Sequence, residues 1–146
     1  MSDPYDLQRF VDAQNPVYDQ VCAELRDRRK KSHWMWFVFP QIAGLGSSPL
    51  AHKFAISSLA EATAYLAHPI LGPRLAECTG LVNQVDGRPI GQIFGYPDDL
   101  KFRSSMTLFA HAAPDNRVFI EALQKYCKSE FDPATLAQLQ SSGRNT

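Results

Sequence analysis

Apolar positions recur at helical spacing through most of this 146-residue chain, and the places where the spacing fails mark its joints. Asp3 and Pro4 read as the cap and first turn of a short helix carrying Leu7, Phe10 and Val11 on one face, interrupted at Asn15-Pro16. Val17, Val21 and Leu25 lie at i, i+4 and i+8 and predict a second helix. The cations Arg28, Arg29, Lys30 and Lys31 fall near its end, where they oppose the negative pole of the dipole.

The pattern breaks at Ser32-His33-Trp34-Met35-Trp36-Phe37-Val38-Phe39-Pro40-Gln41. This run neither alternates strictly nor repeats at 3.6 residues, and Pro40 ends it, so it reads as a short buried strand or extended segment rather than a helix. Gly44-Leu45-Gly46-Ser47-Ser48-Pro49 is a loop, and Lys53-Phe54-Ala55-Ile56 is either a strand or the end of a helix.

Helical spacing then resumes. Ser58 and Glu61 form a capping box ahead of an Ala-rich helix whose buried face runs through Leu59, Ala62, Tyr65 and Leu66. His68-Pro69 breaks it. Residues 69–83 begin again with Ile70, Leu71, Leu75, Cys78 and Val82 apolar, which makes a helical hairpin with a sharp corner. After a turn at Asp86-Gly87-Arg88-Pro89, residues 90–95 form one helical turn closed by Gly95, and Pro97-Asp98-Asp99 opens a helix striped by Phe102, Met106 and Phe109. Residues 115–127 and a final helix capped by Asp132-Pro133 complete the series. The prediction is a mainly α protein: one compact helical domain over residues 1–140 with at most a small β element, and a flexible tail at 141–146.

Composition narrows the function classes. The chain has 45% hydrophobic and 21% charged residues, the balance of a globular protein of one-domain size. Fifteen basic and fifteen acidic residues cancel, so no general attraction to nucleic acid or to an anionic membrane is expected. Cys22, Cys78 and Cys127 are odd in number and match no zinc spacing, which points to free thiols in the cytosol. Neither export nor membrane spanning is expected, because no cationic stretch leads into an apolar one at the start and no apolar run is long enough.

Two stretches carry candidate chemistry. The aromatic run holds both tryptophans, directly behind the basic run, and Trp34 and Trp36 can wall a pocket for a base or sugar. His33 beside them is the candidate proton-transfer residue, and Gln41 a further ligand contact. In Lys101-Phe102-Arg103-Ser104-Ser105-Met106-Thr107, an inward apolar stripe is expected to leave Lys101, Ser104 and Ser105 clustered on a neighbouring face. An ammonium, a guanidinium from Arg103 and two hydroxyls can hold phosphate or carboxylate, with Asp98 orienting a water or a ligand hydroxyl. The competing readings are a core role for the aromatics, an Asp99 to Arg103 surface pair, hydroxyls bonded back to carbonyls, and Asp98 as a helix cap. Gly44 and Gly46 suit a turn or a flexible lid, and they lack the lysine of a phosphate loop. His52, His68 and His111 have no metal-ligand spacing, so neither metal nor cofactor is expected.

The blocks Leu7-Gln8-Arg9-Phe10-Val11-Asp12-Ala13-Gln14, residues 32–41 as quoted above, Ala67-His68-Pro69-Ile70-Leu71-Gly72-Pro73-Arg74-Leu75, and residues 93–109 from Ile93-Phe94-Gly95-Tyr96-Pro97 onward closely resemble the family catalogued as domain of unknown function 1810. The resemblance runs from residue 6 to about residue 139. It implies a mainly helical, intracellular bacterial protein and brings no established reaction. Some relatives carry the label calpastatin, yet calpastatin-type inhibitors are long disordered repeats, whereas this chain has a core-forming composition and no repeat. The order of elements is also distantly similar to NADAR-type proteins, associated with N-glycosidic and ADP-ribose chemistry, a fold-level analogy that transfers no catalytic residue.

Three readings follow. The first is a small enzyme or ligand-binding domain for a phosphorylated nucleoside or ADP-ribose-like compound, with N-glycosidic hydrolysis as the reaction the likeness suggests. The second is a protein or nucleic-acid binding module using the basic run. The third is a structural protein without a catalytic site. A phosphorylated small molecule is the expected partner, and whether the protein is an enzyme, and its oligomeric state, stay open.

Overall fold

The computed structural model describes residues 3–144. They form α1 (Gln8–Gln14), α2 (Tyr18–Arg26), α3 (Met35–Val38), α4 (Pro49–Lys53), α5 (Leu59–Ala67), α6 (Leu71–Asn83), α7 (Ile90–Phe94), α8 (Asp98–Ala112), α9 (Arg117–Tyr126) and α10 (Pro133–Arg144). Among the described residues the β structure amounts to one parallel bridge between Ile42 and Ile56. The chain is therefore a mainly α single domain, and that bridge is its small β element. Residues 141–144, expected as part of a tail, are helical in α10, while 145 and 146 lie outside the described residues.

Helix α8 runs through the centre, packed on α5, α7, α9 and α10, and α6 closes the other side against α2, α5 and α9. Phe102 and the unbroken run 104–110 of α8 are buried. This corrects the expectation of an accessible face shared by Lys101, Ser104 and Ser105, because a helix enclosed on most sides must be buried nearly all round. Rings carry the core outward from it: Phe102 lies 5.2 Å from Phe39 and 5.0 Å from Phe94, and Phe109 lies 5.3 Å from Tyr65.

Several ends follow their sequence signals. Asp3 accepts the N–H groups of Leu7 and Gln8 at 2.8 and 3.0 Å, although α1 starts only at Gln8 because Asp6 adopts a positive φ of 52°. Ser58 Oγ accepts the Glu61 N–H at 3.1 Å, and the Glu61 carboxylate takes the N–H and hydroxyl of Ser57, one residue earlier than a standard capping box. At the corner, His68 Nδ1 accepts the N–H groups of Ile70 and Leu71 and so starts α6. Asp132 caps α10, accepting the Thr135 N–H at 3.2 Å and its hydroxyl at 2.5 Å.

The aromatic run departs from expectation. It is neither strand nor extended: α3 occupies its centre, closed by bonds from Val38 and Phe39 to the carbonyls of Trp34 and Met35. The cause lies in α2. That helix stops at Arg26 in a Schellman arrangement, with Arg28 at φ 63°, its N–H on the Leu25 carbonyl and the Arg29 N–H on that of Glu24. The chain doubles back over the buried Glu24 carboxylate. Oε1 accepts the N–H groups of Lys31 and Ser32 at 2.7 and 3.1 Å and the Trp34 indole N–H at 2.9 Å, while Oε2 takes the Ser32 hydroxyl at 2.6 Å and the Gln20 amide at 3.1 Å. At the far end of α3, the Gln14 amide donates to the Phe37 carbonyl at 2.6 Å. With backbone groups committed to these side chains, the run has no strand partner to join.

Burial alone would raise the Glu24 pKa, but the bonds from Ser32, the Lys31 N–H and Trp34 outweigh it and hold the group at about 2. Its unfolded value is about 4.3, so its stabilisation is complete above about pH 5 and is lost as the pH falls through about 2. Denaturant midpoints measured across this window should fall with pH in the wild type and change less in Glu24→Gln. Glu24→Ala, which strands several buried donors, should cost about 3 kcal/mol at neutral pH.

Candidate functional site

Around α3 the rings point three ways. Trp34 and Phe39 turn inward, 6.1 Å apart, and Phe37 reaches Phe54 at 5.3 Å. Trp36 is left half-buried at the surface, where it walls a cleft of about 260 Å³. Phe39, Phe54 and Ile42 supply apolar surface, and Gln41, His52 and Lys101 supply the polar lining. Clefts of this make-up, mostly apolar with a few converging polar groups, are the usual form of small-molecule sites.

The opposite wall is built by a second buried ion centre. Arg9 donates to the carbonyls of Lys53 and Ala55 at 2.8 and 2.9 Å and pairs with Glu61 at 2.9 Å. Glu61 in turn holds Ser57, so the segment from the end of α4 to the start of α5 is fixed from both sides. The bridge strengthens this, with Ala43 N–H on the Ile56 carbonyl at 2.8 Å and Ile56 N–H on that of Gln41 at 2.9 Å. Residues 53–56 thus end a helix and then make a bridge. Ser48 caps α4 through the Ala51 N–H and Pro49 starts it, which sets His52 at the mouth.

The glycine loop passes close to α10 and α4. Gly44 has φ 99°, and a Cβ there would stand 2.9 Å from the Gln138 side chain of α10. Gly46 needs no positive φ; its Cβ would meet that of Ala51 at 2.6 Å.

Lysines cover both tryptophans. Lys101 Nζ lies 5.4 Å from the centroid of Trp36 and Lys30 Nζ 5.3 Å from that of Trp34. One carboxylate joins them: Asp98 Oδ2 is 2.9 Å from Lys30 and Oδ1 is 3.6 Å from Lys101. Lys30 is the buried partner, its side chain 7% exposed. The arrangement orients Lys101 toward the cleft without neutralising it fully, since Asp98 is divided between two cations.

The residues singled out in the sequence divide accordingly. Trp36, Gln41 and Lys101 converge on the cleft, and Asp98 stands behind Lys101. Trp34 is 1% exposed with its N–H on Glu24, so it belongs to the core and offers no stacking face. His33 is exposed and outside the lining. Arg103 binds the carbonyls of Glu130 and Phe131 at 3.2 and 2.8 Å, and these, rather than Asp99, are its partners. The Ser104 hydroxyl donates its one proton to Asp132 at 2.8 Å with the Leu100 carbonyl 3.1 Å away, and Ser105 is fully buried with its hydroxyl unpartnered. The sequence assigns no individual role in a pocket to His52, Phe39 or Lys30. Ser48-Pro49 was a readable helix start that would have placed His52, whereas nothing local marks Lys30 as the buried member of its run.

Among the described residues no group of three or more His, Cys, Asp or Glu side chains is arranged to hold a metal ion. The three cysteines are free, and burial raises the pKa of each, that of Cys78 to about 12, which leaves them protonated and weak as nucleophiles. No helix among the described residues is long and apolar enough to cross a membrane.

Residues 4–139 match the model of the family described as "Protein of unknown function (DUF1810)". The chain belongs to this family. A crystal structure at 1.38 Å of the conserved hypothetical protein Rv1873 from Mycobacterium tuberculosis is similar over 94% of this chain and 99% of that one, at 63% identity and a TM-score of 0.93. No match is found among curated proteins. Membership in the DUF1810 family thus agrees with the resemblance carried by the four sequence blocks and leaves activity to be argued from the cleft.

Asp98→Asn should cost about 2 kcal/mol of stability, because it leaves the buried Lys30 ammonium without its carboxylate. Chemical denaturation of the variant beside Lys30→Met, Asp98→Asn checks the cause: the double variant, which removes both charges, should recover much of the loss.

Proposed function

We propose that this protein binds a small phosphorylated nucleoside in the Trp36 cleft, with the ring on the indole face and the phosphate on Lys101. The observation that carries this reading is the placement of an incompletely neutralised ammonium 5.4 Å from the centroid of a half-buried tryptophan at the wall of a mostly apolar cleft. Gln41 supplies amide donors and an acceptor for a base edge or a ribose hydroxyl, and His52 a ring nitrogen at the mouth.

Size and lining sharpen the ligand class. About 260 Å³ is at the small end for enclosed ligands, which favours a nucleoside monophosphate over an ADP-ribose-like compound. Cleavage of a glycosidic bond develops positive charge on the sugar and is ordinarily served by carboxylates beside it. The lining residues include none, and both oxygens of Asp98 face lysines. Binding is therefore the better supported activity than hydrolysis. Three free cysteines support a reducing compartment such as the cytosol, and the mycobacterial relative supports a bacterial source.

A thermal-shift series with nucleoside monophosphates tests the reading. A ligand at 100 times its Kd should stabilise the protein by about 2.7 kcal/mol and raise its melting temperature by several degrees. Trp36→Ala and Lys101→Gln should each weaken binding about ten-fold or more, corresponding to at least about 1.4 kcal/mol. Absence of any shift with every monophosphate at millimolar concentration would overturn it.

A further inference from the structure

A second cleft, of about 400 Å³, opens on the other side of the Lys30 and Asp98 pair, between the basic run and α7. We infer that it is a phosphate-binding site distinct from the Trp36 cleft, in which Arg29 and Arg88 hold the anion and Tyr96 receives a ring attached to it. Its lining contains three cations, Arg29, Lys30 and Arg88, and no carboxylate.

The arginines are the first reason. Arg88 is half-buried, yet among the described residues its guanidinium has no protein acceptor for any of its donors; Arg29, which is exposed, has none either. Other half-buried arginines do have protein partners, Arg9 with five and Arg103 with the 130–131 carbonyls and the Glu130 carboxylate at 3.5 Å. Lys30 is already paired with Asp98, whereas neither guanidinium forms an ion pair among the described residues, Asp27 acting on Arg88 only from a distance. That matches a phosphate monoester, which carries about −1.5 to −2 at pH 7, and guanidinium groups bind such oxygens in bidentate fashion. Carboxylates stand at the margins: Asp27, held by Lys31 at 2.6 Å and within the field of Arg88, and Asp99, whose Oδ2 would be 3.5 Å from a Cβ at Gly91.

The cleft itself is shaped for approach. The Lys30 N–H donates to the Ile93 carbonyl at 2.7 Å, which clamps the basic run onto α7 and sets Arg29 across from Arg88. Gly91 and Gly95 leave the surface between them bare: a Cβ at Gly95 would meet nothing within 4 Å, and its φ of 77° favours glycine. Next to Gly95 in the chain comes Tyr96, 83% exposed, the most exposed large apolar side chain among the described residues. An uncovered ring at the edge of a cleft that holds arginines without ion-pair partners is the pairing with which phosphorylated rings and single strands are bound.

Titration of the 15N-labelled protein with inorganic phosphate, with a nucleoside monophosphate and with a ten-nucleotide single-stranded RNA tests the inference and separates the sources of the phosphate. Amide shifts at residues 88–96 and the loss of those shifts by at least ten-fold in affinity in Arg29→Gln, Arg88→Gln are expected, with Trp36→Ala leaving them in place. Tighter binding of the RNA, lost in Tyr96→Ala, assigns the site to a strand; equal or tighter binding of the monophosphate assigns it to a small ester. No shift at residues 88–96 in any arm, or equal affinity in the double arginine variant with its fold intact by circular dichroism, overturns the inference. Because the Trp36 cleft is monitored in the same spectra, failure here is distinguishable from failure of the first site.

Discussion

The buried carboxylate of Glu24 governs how this chain is arranged around its site. Its two oxygens accept five hydrogen bonds, four of them from the segment that would otherwise be free to extend beyond α2. An ionised carboxylate in a buried place is tolerable only when its hydrogen-bonding capacity is filled, so the backbone of residues 31–34 has to turn back over it. That turn fixes Trp34 inside, and the helical turn of α3 that follows then fixes Trp36 outside. The division of labour between the two tryptophans is thus decided by a residue ten positions before the first of them.

A second buried ion centre does the equivalent work on the other wall. Arg9 and Glu61 tie α1, the end of α4 and the start of α5 together, and the single bridge between Ile42 and Ile56 spans the gap. The cleft therefore lies between two short segments that have little regular structure of their own, each held by side chains from longer helices. The third contribution is Asp98, which shares itself between a buried and an accessible lysine and keeps the accessible one at the ring of Trp36. Precise placement of a few groups by surrounding polar contacts is what a binding site requires.

Much of this was legible from spacing and end signals. The long helices, the corner at His68-Pro69, the Asp132 cap and the mainly helical class follow from local physics: apolar periodicity, and oxygen acceptors at helix starts. The one-turn helix in residues 35–38 was not, because four residues are too few for a period and aromatic residues favour strands when nothing else decides. What decided was a contact with Glu24, invisible in a local window. The same limit applies to α8. Its spacing marked Phe102, Met106 and Phe109 correctly as buried, but the enclosure of Ser104 and Ser105 depends on α10 arriving from the far end of the chain, where Asp132 takes the Ser104 hydroxyl. Of the proposed site residues, Trp36, Gln41 and Lys101 come together across at least sixty positions of sequence, while Trp34, only two residues before Trp36, is claimed by the core.

A site built from one accessible tryptophan and one shared lysine makes the two indoles behave differently. The most direct measurement is the pair of indole N–H resonances in a 15N-labelled sample during titration with a nucleoside monophosphate. The Trp34 signal, bonded to Glu24, should be protected from exchange with solvent and stay in place, while that of Trp36 shifts in a saturable way. A Trp36 signal unmoved at millimolar ligand, or a Trp34 signal that exchanges freely and moves with it, would contradict the arrangement on which the site rests.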